Sequence, residues 1–154
     1  DKSLYRYVPE IIRYYLDEEP LLQIVPTYLA RQPKDCAYIL ENLENLVIKE
    51  VGNSGGYGML IGPHATRKDI DLFYHKVSDN PTNYIGQPVI QLSTHPTYTA
   101  DGIKPRHIDL RPYVLYGDTV TIVPGGLTRV ARKAGSLVVN SSQGGGSKDT
   151  WVLA

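Results

Sequence analysis

With 154 residues, 42% of them hydrophobic and 21% charged, the chain has the composition of an ordinary soluble globular protein with room for one domain or two small ones. Its 16 basic residues balance 16 acidic ones, so no global field draws it to nucleic acid or an anionic membrane, and its apolar runs are too short to span a bilayer. Cys36 is the single cysteine, which excludes an internal disulfide and leads to the expectation of a reducing, cytoplasmic setting.

The stretch YVPEIIRYYLDEEP (7–20) predicts a helix: Pro9 suits its first turn, Val8, Ile12, Tyr15 and Leu16 recur at helical spacing, and Pro20 ends it. Pro26 favours an extended chain over 21–30. Helical periodicity returns over 32–46, with Pro33 near the start and Cys36, Ile39, Leu40 and Leu43 in one apolar stripe. The runs LVIKEV (46–51) and GMLIG (58–62) predict two antiparallel strands with a glycine loop between them. Thr66 and Asp69 have capping-box spacing for a helix over 67–77, and a turn cluster follows at 78–83. Residues 84–92 predict a strand interrupted at Gly86 and Pro88, since a central strand would not tolerate the proline. Residues 105–131 predict a hairpin turning at Gly117-Asp118, then a strand at 135–140, a loop at 141–149 and a short final strand at 150–154. No internal repeat of fixed period is present.

Twelve tyrosines against one Phe and one Trp suit amphipathic helix and strand faces, or a cleft or partner surface. In the hairpin, His107, Asp109 and Arg111 alternate with Ile108 and Leu110, so one strand face carries three kinds of titratable group. That face lies in water or in a site. His64, His75, His95 and His107 lack metal-ligand spacing, so no metal site is assigned.

KEVGNSGGYGMLIG (49–62) is not a Walker A loop: no Gly-Lys-Ser/Thr follows, and a strand rather than a helix comes next. The dinucleotide fingerprint fails on spacing and on the missing helix. Two readings remain, a glycine-rich hairpin without ligand or a strand–loop–strand flap over phosphates, with Lys49 supplying a point charge. A second glycine loop, SSQGGGSKD (141–149), follows Asn140 and carries Lys148 after its glycines, and Arg111 and Arg129 sit on the two arms of one hairpin. Together these features favour a polyanion site.

IVPTY, LVIKEVGNSGGYGMLIG, YIGQPVI, HIDLRPYVL, GGLTRVA and LVVNSSQGGGSKDTWVL, in that order, resemble the ATP-grasp ligases. More closely they resemble the circularly permuted ATP-grasp family of bacterial proteins related to glutathionylspermidine synthase, over essentially the whole chain. The resemblance implies an α+β fold in which two subdomains, with mainly antiparallel sheets flanked by helices, hold ATP between them. It divides the chain into a helical segment at 1–20 continuing from a missing amino-terminal part, a subdomain with the phosphate flap at 21–84, and a second subdomain at 85–154. By similarity Lys49 contacts the inner phosphates, and Gly52, Ser54, Gly55, Gly56, Tyr57 and Gly58 close over the outer ones. Gln87 and Val89 lie on the segment whose backbone reads adenine. Arg111 and Arg129 resemble the positions that neutralise the transferring phosphoryl group, and Asn140 a polar position beside phosphates or substrate. The implied function is the ATP-binding portion of a carboxylate–amine (carbon–nitrogen) ligase acting through an acyl phosphate on an unidentified carboxylate and amine. The alternative is a non-catalytic nucleotide-binding or assembly module with a degenerate grasp fold. One departure stands out: no Glu-x-Asn strand follows QGGG, so the chain reads as a carboxy-terminal fragment. Mg2+ would then be held by ligands from the missing part, and the chain alone would be inactive.

Overall fold

The computed structural model describes residues 1–55, 57–140 and 145–151. Gly56 of the first glycine loop, 141–144 of the second and 152–154 of the expected last strand lie outside the described residues. The fold is α+β, with three α-helices and two four-stranded antiparallel sheets. Among the described residues no helix is long and apolar enough to cross a membrane.

The chain divides into two units after Ile90, so the strand expected to open the second subdomain belongs to the first unit. In that unit a 3-10 turn at Lys2–Tyr7 leads into α1 (Val8–Leu16), with Pro9 in its first turn as expected. The helix stops at Asp17, whose left-handed backbone (φ 53°) ends it ahead of Pro20. No α1 residue is buried, and Tyr14, Tyr15 and Leu16 are exposed. The extended segment at 21–30 contributes only a two-residue strand, β1 (Tyr28–Leu29). Pro33 opens α2 (Pro33–Glu41), and the rest of the expected helix tightens into a 3-10 turn at Leu43–Asn45. β2 (Leu46–Glu50) and β3 (Met59–Ile61) pair antiparallel around the glycine loop. α3 (Arg67–Asp79) begins at a complete Thr66–Asp69 capping box.

β4 (Tyr84–Pro88) corrects the expectation for its proline: it is central, in the order β1-β4-β2-β3. Pro88 is tolerated because it is the strand's last residue, and β1 reaches only Ile85 and Gly86 on that side. Alternation sends Ile48 of β2 and Leu60 of β3 to the face covered by α2 and α3, where Ile39, Ile70, Phe73 and Val77 complete the core. Val47, Lys49, Ile85 and Gln87 point to the other face.

The second unit is a sheet in the order β5-β6-β7-β8, with no α-helix among its described residues. β5 (Thr94–Thr99) is a strand the sequence reading missed, with Pro96 accepted because β5 is an edge. β6 (Gly102–Tyr116) and β7 (Val120–Val130) form the expected hairpin through Gly117-Asp118. Two expectations fail beyond it. Residues 135–140 form no strand, because the chain turns there: the Ser136 amide donates to the Lys133 carbonyl and the Val138 amide to the Ser136 hydroxyl. The strand begins instead inside the expected loop, as β8 (Gly146–Thr150), and Trp151 lies beyond its end.

Candidate functional site

In the first unit the polar centre grows from strand register. Antiparallel pairing sets Lys49 against Ile85 and Val47 against Gln87, which makes Lys49 and Gln87 diagonal neighbours on the face away from the helices. The Lys49 ammonium donates to Gln87 Oε1 at 2.6 Å, and Gln87 Nε2 donates to the Thr27 hydroxyl at 2.8 Å. Gln87 and Thr27 are buried, at 7% and 4% exposure, so the relay is rigid and the lysine is aimed by groups with no room to move. Burial holds the Lys49 pKa below the usual lysine range, and the nearby Lys2 ammonium pushes it the same way. Sequence reasoning assigned Gln87 to adenine through its backbone; its side chain serves the lysine.

Lys49 stands on β2 just before the glycine loop. The N–H groups of Gly52, Asn53 and Ser54 make no hydrogen bond among the described residues. Gly55 and Gly58 have φ of 72° and 63°, the left-handed region. At Gly58 a Cβ would also lie 2.8 Å from Glu50 Cδ and 2.9 Å from the Asn53 side-chain nitrogen. Tyr57 is exposed, with its amide 3.4 Å from the Ser54 carbonyl. Lys2 holds the entry to the loop: its ammonium donates to the carbonyls of Glu50 at 2.8 Å, of Val51 at 3.4 Å, and of Asn53. The Asn53 amide in turn donates to the Glu50 carboxylate. Nothing in the sequence marked Lys2 or Thr27, because each acts on a segment more than 45 residues away.

In the second unit Asp109 and Arg129 are register partners on β6 and β7. Arg129 Nε donates to both carboxylate oxygens, at 2.9 and 3.1 Å, and Nη2 donates to Oδ2. The Arg129 hydrogen bonds hold the Asp109 carboxyl below the usual aspartate range; the Arg111 charge adds to this, and partial burial opposes it. Arg111, two residues along β6, is exposed on the same face. His107 shares that face, but its Nδ1 donates to the Leu92 carbonyl at 2.8 Å, so Asp109 orients the arginine and not the imidazole. Lys148 does not join this group. It pairs with Thr128, and so projects from the opposite face.

Asn140 follows the irregular segment, and its carbonyl accepts from the Gly145 amide at 3.0 Å. Val89 is half-buried just beyond β4. Among the described residues no group of three or more His, Cys, Asp or Glu side chains is arranged to hold a metal ion.

A family model described as circularly permuted ATP-grasp type 2 matches residues 1–131. An uncharacterized protein of Synechocystis is 57% identical over 154 residues, which make up 99% of this chain and 32% of that protein. An uncharacterized protein of Mycobacterium leprae is 49% identical over 155 residues, 28% of its own length. A Frankia casuarinae protein named "Putative glutamate--cysteine ligase 2-2" is 47% identical over 152 residues, 18% of its own length. The chain thus spans less than a third of the length of these curated relatives.

Proposed function

The chain belongs to the circularly permuted ATP-grasp type 2 family, and from that premise we propose that it is the ATP-binding portion of a carboxylate–amine ligase acting through an acyl phosphate. The observation that carries this reading is the Lys49–Gln87–Thr27 relay at the foot of the glycine loop. A half-buried ammonium, held on one side by a neutral amide and without a carboxylate partner among the described residues, suits an anion: a phosphate would restore the compensation that burial removed. Next to it the N–H groups of Gly52, Asn53 and Ser54, unpaired among the described residues, are donors of the kind that cradle phosphate oxygens, and Gly55, Tyr57 and Gly58 belong to the same proposed flap.

Bound ATP supplies the phosphoryl group that activates a carboxylate for attack by an amine. Such transfer depends on positioning and charge neutralisation. Lys49 provides a fixed positive charge for the inner phosphates, and the backbone at Gln87 and Val89 contacts adenine. Arg111 provides an exposed cation for the transferring group, with Arg129 its diagonal neighbour on β7, and Asn140 serves as a polar contact for phosphates or substrate. Asp109 pins the Nε edge of Arg129, which fixes the plane of the guanidinium and leaves Nη1 for a phosphoryl oxygen. Mg2+ would take ligands from outside the described residues. The Frankia protein carries a name in the same reaction class, but this chain matches only 18% of it, so the name does not choose the carboxylate or the amine.

The second reading, a non-catalytic nucleotide-binding or assembly module, is favoured by the far end of the β6–β7 hairpin. There Val114, Leu115, Tyr116, Val120 and Ile122 are exposed together beyond a register shift at Pro112/Val114. Calorimetry with ATP separates the two. The ligase reading expects ATP binding that Lys49→Ala weakens at least about tenfold, the scale of one lost charge-assisted hydrogen bond. Absence of ATP binding by the unmodified protein overturns it. Loss of function in Tyr116→Ser with ATP binding intact supports the module.

A further inference from the structure

The second sheet has a face that the ATP reading does not use. β5 and β8 lie at opposite edges of its strand order, yet the Lys148 ammonium of β8 sits 2.9 Å from His95 Nδ1 of β5 and donates to the Pro96 carbonyl. Three strand spacings in a flat sheet would separate those edges by about 14 Å, more than a lysine spans. The sheet therefore curls. Its concave face encloses a cleft of about 390 Å³, within the size range of small-ligand sites.

Alternation decides what charge lines that cleft. Arg106 and Lys148 project into it from β6 and β8, while Asp109 and Asp149 point to the opposite face. Arg132, just past β7, is the third cation, and no carboxylate is among the lining residues. The Arg106 guanidinium is oriented by backbone carbonyls, with Nε on Arg132 at 3.0 Å and Nη1 on Pro105 at 2.8 Å, which leaves Nη2 unpaired among the described residues. The Arg132 side chain is exposed and makes no hydrogen bond among the described residues; its Nε lies 4.0 Å from where a Cβ on Gly146 would stand.

We propose that this cleft is an anion-binding site taking the phosphate or carboxylate group of a small molecule, with Arg106, Arg132 and Lys148 as its cationic contacts. Three cations gathered without a carboxylate repel one another, and a doubly charged anion is the ligand that turns that repulsion into attraction. The planar guanidiniums suit two-oxygen recognition of either group, and Lys148 adds a point charge. The site is separate from the proposed ATP groups, since Lys49, Arg111 and Arg129 take no part in it.

Calorimetry with inorganic phosphate and with glutarate, on the unmodified protein and on Arg132→Gln, Arg106→Gln and the exposed α3 control Lys68→Ala, tests the proposal. The expected result is a binding site that each arginine change weakens at least about tenfold and Lys68→Ala leaves unchanged. Binding of phosphate alone identifies a phosphoryl ligand, and binding of glutarate alone a carboxylate ligand; each supports the site. Absence of binding by both anions overturns it, as does affinity that survives Arg132→Gln or that falls equally in Lys68→Ala. The Arg132 side chain makes no hydrogen bond among the described residues, so Arg132→Gln decides the matter even if Arg106→Gln unfolds. Failure of ATP binding would leave this result standing, because Arg106 and Arg132 are not among the proposed ATP groups.

Discussion

At Lys49, burial and function pull on one proton. A lysine whose folded pKa is lowered costs stability while charged, and that cost disappears as pH rises through the folded value toward the unfolded one. Phosphate binding needs the charged form, so ATP affinity is expected to fall as pH rises through the folded value, which lies below the usual lysine range. A pH series by calorimetry reads this, with Lys49→Arg, charged throughout, as the variant that should lose the slope. Asp109 runs the opposite way. Its folded pKa is lowered, so the stability it contributes is present above the ordinary aspartate value and is lost as pH falls through the folded value. Asp109→Asn should cost about 1–2 kcal/mol in urea unfolding near neutral pH, a partly exposed pair being worth less than a buried one, and should flatten the acid limb of stability. Alternation placed Asp109 and Arg111 on one polar strand face from sequence alone. The partner of Asp109 was not legible, because which residue of β7 stands opposite depends on the hairpin register.

Elements with complete local signals formed where the sequence put them. Pro33 with an apolar stripe made α2, and the Thr66–Asp69 box made α3. Where context overruled propensity, the reading failed. The β-branched Val138 and Val139 pair with no strand and lie in an irregular segment after a turn, while the proline-bearing segment at 94–99 becomes a strand because β6 lies beside it. Gly86 shows why β4 admits α2 so closely. A Cβ there would lie 2.8 Å from Ile39 Cγ1, in the centre of the core, so no side chain fits between strand and helix. Gly86→Ala is therefore expected to destabilise the protein by about 1–3 kcal/mol, seen as a lower urea midpoint with an unchanged slope. An unchanged midpoint would mean that α2 does not pack on β4 as described.

On the scale of the whole chain, the two units differ in how they are stabilised. The first carries a core shared by α2, α3 and its sheet, with Ile39, Ile48 and Val77 fully buried. The second buries few large apolar side chains among its described residues and exposes many along its hairpin. Residues 1–90 expressed alone should melt cooperatively, because every member of that core lies within them. A broad, non-cooperative transition in calorimetry would contradict this. Composition, periodicity, capping spacing and the family wording determined the α+β class, most elements and the candidate residues, because those signals operate over a few neighbouring positions. Only the tertiary structure decided which of those residues meet. It joined Lys49 to Gln87 and Thr27, bound Arg129 to Asp109, and sent Lys148 to the opposite face with Arg106. Contacts of this kind depend on register and on which face of a strand is buried, and a shift of one residue would reverse them all.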